Sequence, residues 1–169
     1  MNIALIGFMG TGKTTVGMLL AEALGITYVD SDEEIIRISG HNIPDLFAEY
    51  GETRFRELEN DVVHSLSKLN RVVIGYGGGV VTNSENVAIL RKTSKVVLLT
   101  ASAEEVLRRT SGDLSRPLLN IDDRLTRIRE LMAVRNNTYL AAADLVLNTE
   151  SLTPREVADQ IMKQLGSHF

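Results

Sequence analysis

The octapeptide Gly7-Phe8-Met9-Gly10-Thr11-Gly12-Lys13-Thr14 meets the pattern G-x-x-x-x-G-K-[ST], between the apolar run Asn2-Ile3-Ala4-Leu5-Ile6 and a stretch of helical apolar spacing. In that context the glycines let backbone N–H groups converge on phosphate oxygens at the positive end of the helix. Lys13 adds a point charge, and Thr14 offers a hydroxyl to Mg²⁺. The chain is therefore expected to bind a nucleoside triphosphate with Mg²⁺, using Gly10, Thr11, Gly12, Lys13, Thr14 and Thr15 as nucleotide contacts. A strand running through such a loop into a helix also commits the fold to crossover units around a parallel sheet.

The rest of the chain keeps that alternation. Strands are predicted at 2–7, 26–29, 71–75, 95–100 and 144–148, the last at an edge, and the near-continuous apolar runs among them suit strands covered on both faces. The first helix carries Val16, Leu19, Leu20, Ala23 and Leu24 at helical spacing and stops at Gly25. Further helices are predicted at 32–39, 43–69, 84–92, 103–110, 122–142 and 154–165, with a break at Gly51, since glycine in a helix interior costs about 1 kcal/mol. The expected fold is α/β, with three layers: a five-stranded parallel sheet and helices on both faces, as one domain over 1–169. The stretch 111–120 lacks periodicity, carries Arg116-Pro117 and reads as a mobile loop.

Composition excludes other classes. The chain has no cysteine, so no thiolate metal site or disulfide framework can be drawn, and His41, His64 and His168 are too far apart for zinc-ligand spacing. A net charge of −4 argues against a nucleic-acid scaffold, and no apolar run approaches a membrane span; a cytoplasmic location is expected. Neither N-K-x-D nor D-x-x-G occurs, which argues against a guanine-nucleotide switch.

Magnesium held at a phosphate loop also needs a carboxylate at the end of a neighbouring strand. The runs 72–75 and 96–100 end without one, whereas Ile26-Thr27-Tyr28-Val29 runs into Asp30, the expected metal ligand beside Thr14. Ser31-x-x-Glu34 reads as a capping box, which would leave Asp30 free for that role.

Several motifs then narrow the acceptor. GFMGTGKT, Asp30-Ser31-Asp32, the stretch Gly51-Glu52-Thr53-Arg54-Phe55-Arg56-Glu57-Leu58-Glu59, Gly77-Gly78-Gly79, Arg116-Pro117-Leu118-Leu119, and Arg135 followed by Tyr139 occur in order. Together they resemble the shikimate kinase family over nearly the whole chain. The resemblance implies a nucleoside-monophosphate-kinase-like fold and γ-phosphoryl transfer from ATP to the 3-hydroxyl of shikimate in aromatic amino-acid biosynthesis. It further implies a monomer, a substrate-binding helical segment at about 31–60 and a lid at about 111–121.

Carried over residue by residue, Arg56 and Arg135 would grip the acceptor carboxylate, as suits a planar guanidinium, with Glu59 orienting Arg56. The backbone of Gly77, Gly78 and Gly79 would approach the acceptor, and Asp32 would contact the reacting hydroxyl. Arg116 would neutralise charge on the transferring phosphoryl group, and Arg109 would pack on adenine. Lys13, Asp32 and Arg116 are thus the expected catalytic groups. Two positions depart from the family pattern: Tyr76 replaces a smaller residue, and Ala141 stands where a glutamate commonly follows the tyrosine by two, removing a helix-surface partner near Arg135. A kinase for gluconate or a nucleoside monophosphate would share the loop and lid, but the paired arginines and glycine triplet favour a compact carboxylated acceptor.

Overall fold

Alternate residues of β1 (Asn2–Ile6) serve opposite faces of the sheet, and all five are buried, so this strand lies at the centre of two cores. Ala4 and Ile6 join Ile74, Val96 and Leu98 on one face; Ile3 and Leu5 join Val73, Val97 and Leu99 on the other. In a computed structural model describing residues 1–112 and 123–166, the sheet is fully parallel, in the order β2-β3-β1-β4-β5. The outer pairs are β2 (Thr27–Asp30) beside β3 (Val72–Gly75) and β4 (Ser94–Thr100) beside β5 (Leu145–Asn148). Both β2 and β5 are edges, so the expected edge at the fifth strand has a counterpart at the second.

Helices α1 (Lys13–Leu24) and α7 (Pro154–Leu165) cover the odd-numbered face of β1. The other face is covered by α3 (Ile43–Leu66), α4 (Ser84–Thr93) and α6 (Arg124–Ala142). Short α2 (Ser31–Ser39) leads into α3, and α5 (Ala103–Thr110) precedes residues 113–122, which lie outside the described set together with 167–169. Gly25 caps α1 in the left-handed region (φ 63°), and α3 is broken at Gly51, where φ is 78° and ψ 173°, as expected from sequence. The 43–69 helix is shorter than expected, ending at Leu66.

Among the described residues Arg71 alone of the non-glycines has positive φ, at 58°, in the exposed turn entering β3. Left-handed backbone is worst for β-branched residues, so Arg71→Val is expected to lower the unfolding free energy by about 1–2 kcal/mol even at this exposed site. Arg71→Asn should stay within about 0.5 kcal/mol of the parent, asparagine being tolerated there. Urea denaturation of both variants measures the difference.

Candidate active site

The carboxyl ends of β1, β2 and β3 open into one cavity of about 620 Å³. Its lining brings together Gly10, Gly12, Lys13, Thr14 and Thr15 of the phosphate loop with Asp30, Asp32, Arg56, Gly77, Gly78, Gly79 and Arg135. Ligands of open α/β sheets bind at this end of the strands. Arg116 and the proposed lid lie on or beside residues outside the described set.

On the donor side, glycine is required by contact as well as by backbone. Gly7 has φ 142°, and a Cβ there would stand 2.2 Å from the Leu99 carbonyl oxygen; Gly10 and Gly12 have φ 76° and 95°. Thr11 is buried; its hydroxyl donates to the Phe8 carbonyl at 2.8 Å and its N–H to the same carbonyl at 3.4 Å, so the residue braces the loop. Lys13 Nζ donates to the carbonyls of Gly7 (2.9 Å) and Phe8 (3.0 Å), which holds the ammonium across the loop. Arg109 donates to Glu105 Oε1 (2.6 Å), the Gly10 carbonyl (3.1 Å) and Thr149 (3.0 and 3.2 Å), tying the loop to the segment after β5.

Asp30 is the junction between the two halves. Its Oδ2 accepts from the hydroxyls of Thr14 (3.3 Å) and Tyr28 (3.0 Å), and its Oδ1 accepts the Asp32 N–H at 2.9 Å. The last bond makes Asp30 the N-cap of α2. The capping-box reading of Ser31 is therefore corrected: Ser31 is buried inside the helix, and its hydroxyl oxygen accepts the Gly77 N–H at 3.0 Å. One carboxylate caps with one oxygen and faces Thr14 with the other, so the two roles do not compete.

Tyr28 was not singled out from sequence. Its ring slots between α1 and β3 at two glycines: a Cβ on Gly17 would lie 2.4 Å from the ring, and one on Gly75 2.2 Å from the hydroxyl. Burial, then the Asp30 charge, pushes the Tyr28 hydroxyl well above its ordinary range, so it stays a neutral donor. The alternation of β2 is the signal that could have found it, because residues two apart in a strand share a face.

On the acceptor side, Arg56 donates to Glu59 Oε2 at 2.9 Å and Glu52 Oε1 at 3.2 Å, and its guanidinium stands 5.1 Å from the Phe55 ring centroid. Both carboxylates hold it, Glu59 in the orienting role expected of it and Glu52 as an i,i+4 partner. Glu59 is 2% exposed at its side chain and Arg56 21%. Burial pushes the Glu59 carboxyl up; Arg56 and Arg135 pull it back, and Asp32 adds to the rise. Burial works against the Arg56 charge too, but Glu59 and Glu52 outweigh it and raise its pKa. Both partners shift up because desolvation falls harder on the more buried acid.

The glycine triplet makes room for these groups. A Cβ on Gly77 would come within 2.6 Å of Asp32 Oδ1, and one on Gly79 within 2.1 Å of Arg56 Nη1. Arg135, 5% exposed, donates to the Gly78 carbonyl at 3.3 Å and faces the Phe8 ring at 5.9 Å. Ala141 is exposed, so the departure there leaves these partners of Arg135 intact. Tyr76 is buried in the core, its N–H bonded to the Leu5 carbonyl at 3.0 Å.

Sheet order, phosphate loop and a cavity shared with two helices after β2 define a P-loop small-molecule kinase of the nucleoside-monophosphate-kinase-like class. Comparison with known proteins narrows the class. The family model described as shikimate kinase matches residues 9–166. The shikimate kinase of Caldicellulosiruptor bescii is 45% identical over 161 residues, covering 95% of this chain and 93% of that one. That of Thermodesulfovibrio yellowstonii is 43% identical over 163 residues, covering 96% and 94%. The solved structure of shikimate kinase from Acinetobacter baumannii in complex with shikimate superposes with a TM-score of 0.95 at 38% identity, covering 97% of this chain and 92% of that one. The chain belongs to the shikimate kinase family.

Proposed function

We propose that this protein transfers the γ-phosphoryl group of ATP to the 3-hydroxyl of shikimate, giving shikimate 3-phosphate and ADP in aromatic amino-acid biosynthesis. The observation that carries the reading is one cavity in which the phosphate loop faces Asp32 and two arginines flanking a glycine triplet. Shikimate carries one carboxylate and three hydroxyls, and the lining offers a cationic grip for the first and oriented acceptors for the others. The Acinetobacter baumannii relative, solved with shikimate, supports this choice of acceptor.

In this reading the loop amides and Lys13 hold the β and γ phosphates in line with the acceptor. Arg56, oriented by Glu59 and Glu52, pairs with the carboxylate, and Arg135 closes on it from α6. Asp32 accepts from the reacting hydroxyl, aims it, and receives its proton late in a largely dissociative transfer. Arg116, in the proposed lid at 111–121, supplies charge to the transferring group, and Arg109 stacks on adenine.

Thr14 and Asp30 fit a magnesium site. They are hard oxygen donors on one locus, and no cluster of three histidine, cysteine or acidic residues occurs among the described residues. A single carboxylate suits an ion that keeps its waters and is shared with phosphate oxygens. Bound there, Mg²⁺ would neutralise phosphate charge. Helices able to cross a membrane are absent among the described residues.

Coupled ADP production with shikimate, gluconate and nucleoside monophosphates tests the assignment, with phosphorus NMR to locate the ester. Shikimate-dependent turnover with a 3-phosphate product is expected. No signal above background with shikimate, or preference for another acceptor, would overturn it.

A further inference from the structure

Three consecutive glycines have the widest backbone freedom a chain can offer, so something must hold them if their amides are to recognise an acceptor. The carbonyls of the triplet are all engaged. Gly77 accepts the Val80 N–H (3.1 Å); Gly79 accepts the N–H (2.9 Å) and hydroxyl (2.7 Å) of Thr82; Gly78 accepts Arg135 (3.3 Å) and the Tyr139 hydroxyl. The Gly77 N–H is spent on Ser31. The N–H groups of Gly78 and Gly79 find no backbone acceptor among the described residues.

We propose that Tyr139 is a positioning residue for the acceptor: by taking the Gly78 carbonyl it fixes the direction of the Gly79 N–H. The two groups belong to one planar trans peptide and point opposite ways, so pinning the carbonyl against α6 turns the N–H away from it. Gly79 is also the residue whose Cα abuts the Arg56 guanidinium, so the amide aimed in this way stands beside the arginine that is to meet the carboxylate. Arg135 shares the same carbonyl but is itself wanted by the acceptor. Tyr139 is not among the groups expected to touch the acceptor, and its hydroxyl lies against Arg135 as well as the Gly78 carbonyl. It is 4% exposed, and its burial pushes the hydroxyl up to about 12, which keeps it a neutral donor.

This assignment rests on the shikimate reading, and its test separates the two. Tyr139→Phe keeps the ring in the core and removes the hydroxyl alone. The expected result is a rise in KM for shikimate of about tenfold, with kcat and KM for ATP within about twofold, as for one lost hydrogen bond. A merely structural role would instead move both KM values together or lower Tm. Unchanged KM for shikimate, or a parallel rise for both substrates, would overturn the proposal. In ligand-free wild type, NMR should show a slowly exchanging Tyr139 hydroxyl proton close to Gly78; a freely exchanging one would also overturn it, whether or not the variant folds. If wild type fails to phosphorylate shikimate, the functional reading falls, and the hydroxyl proton still decides the fate of Tyr139.

Discussion

Asp32→Asn is expected to lower kcat by about 10²–10⁴-fold while ATP affinity stays within about threefold. The substitution is nearly isosteric, so its oxygen can still sit against Gly77, where a Cβ would come within 2.6 Å of the parent Oδ1. The start of α2 should survive as well, because the cap is made by Asp30 to the backbone N–H of residue 32. What disappears is the negative charge proposed to accept from the reacting hydroxyl and receive its proton. Asp30 cannot stand in, since both its oxygens are committed, one to the α2 cap and one to Thr14 and Tyr28. Glu59 is committed to Arg56. Titration calorimetry with nucleotide, run beside steady-state turnover, reads both halves of the expectation. Near-normal kcat would remove Asp32 from the chemistry, and a large loss of ATP affinity would place it on the donor side.

Much of the fold is legible in the sequence for a simple reason. Strands buried on both faces need near-continuous apolar runs, and residues 3–6, 72–74 and 96–99 supply them; helix ends at Gly25 and the break at Gly51 need backbone that glycine alone adopts easily. The phosphate loop is legible because its geometry demands particular residues at fixed spacing. The misread cap shows where this stops. Ser31-x-x-Glu34 satisfies the local rule for a capping box, but the Ser31 hydroxyl faces a Gly77 amide 46 positions away in the chain, and no local pattern announces that partner. Tyr28, and the burial of Glu59, escape a reading of the sequence for the same cause. A tyrosine in a strand and a glutamate on a helix look ordinary until Gly17 and Gly75 open a slot for one, and the fold buries the other beside two arginines. The glycine triplet suggested close approach by a ligand; the structure adds that the protein's own Asp32 and Arg56 already use the space.

That space makes Gly79→Ala the sharper probe of the acceptor site. Gly79 has φ −94° and ψ −4°, a conformation alanine adopts without strain, so the effect of the substitution is spatial. The new Cβ would lie 2.1, 2.4 and 2.5 Å from Nη1, Nη2 and Cζ of Arg56, where non-bonded contacts ordinarily stand at about 3.5 Å. The guanidinium must shift by about 1 Å or more, and its bonds to Glu59 and Glu52 constrain where it can go. Charge-assisted hydrogen bonds of this kind are worth about 1.5–3 kcal/mol each, so shikimate affinity is expected to fall about a hundredfold. ATP affinity should not change, since the phosphate loop lies across the cavity. Alanine at Gly77 meets Asp32 instead and should act mainly on kcat, which separates the two ends of the triplet. In an Arg56→Ala background Gly79→Ala should cost little further, because the group it displaces is gone. Full additivity of the two substitutions, or unchanged shikimate affinity in Gly79→Ala alone, would mean that Arg56 leaves this pocket when the acceptor binds.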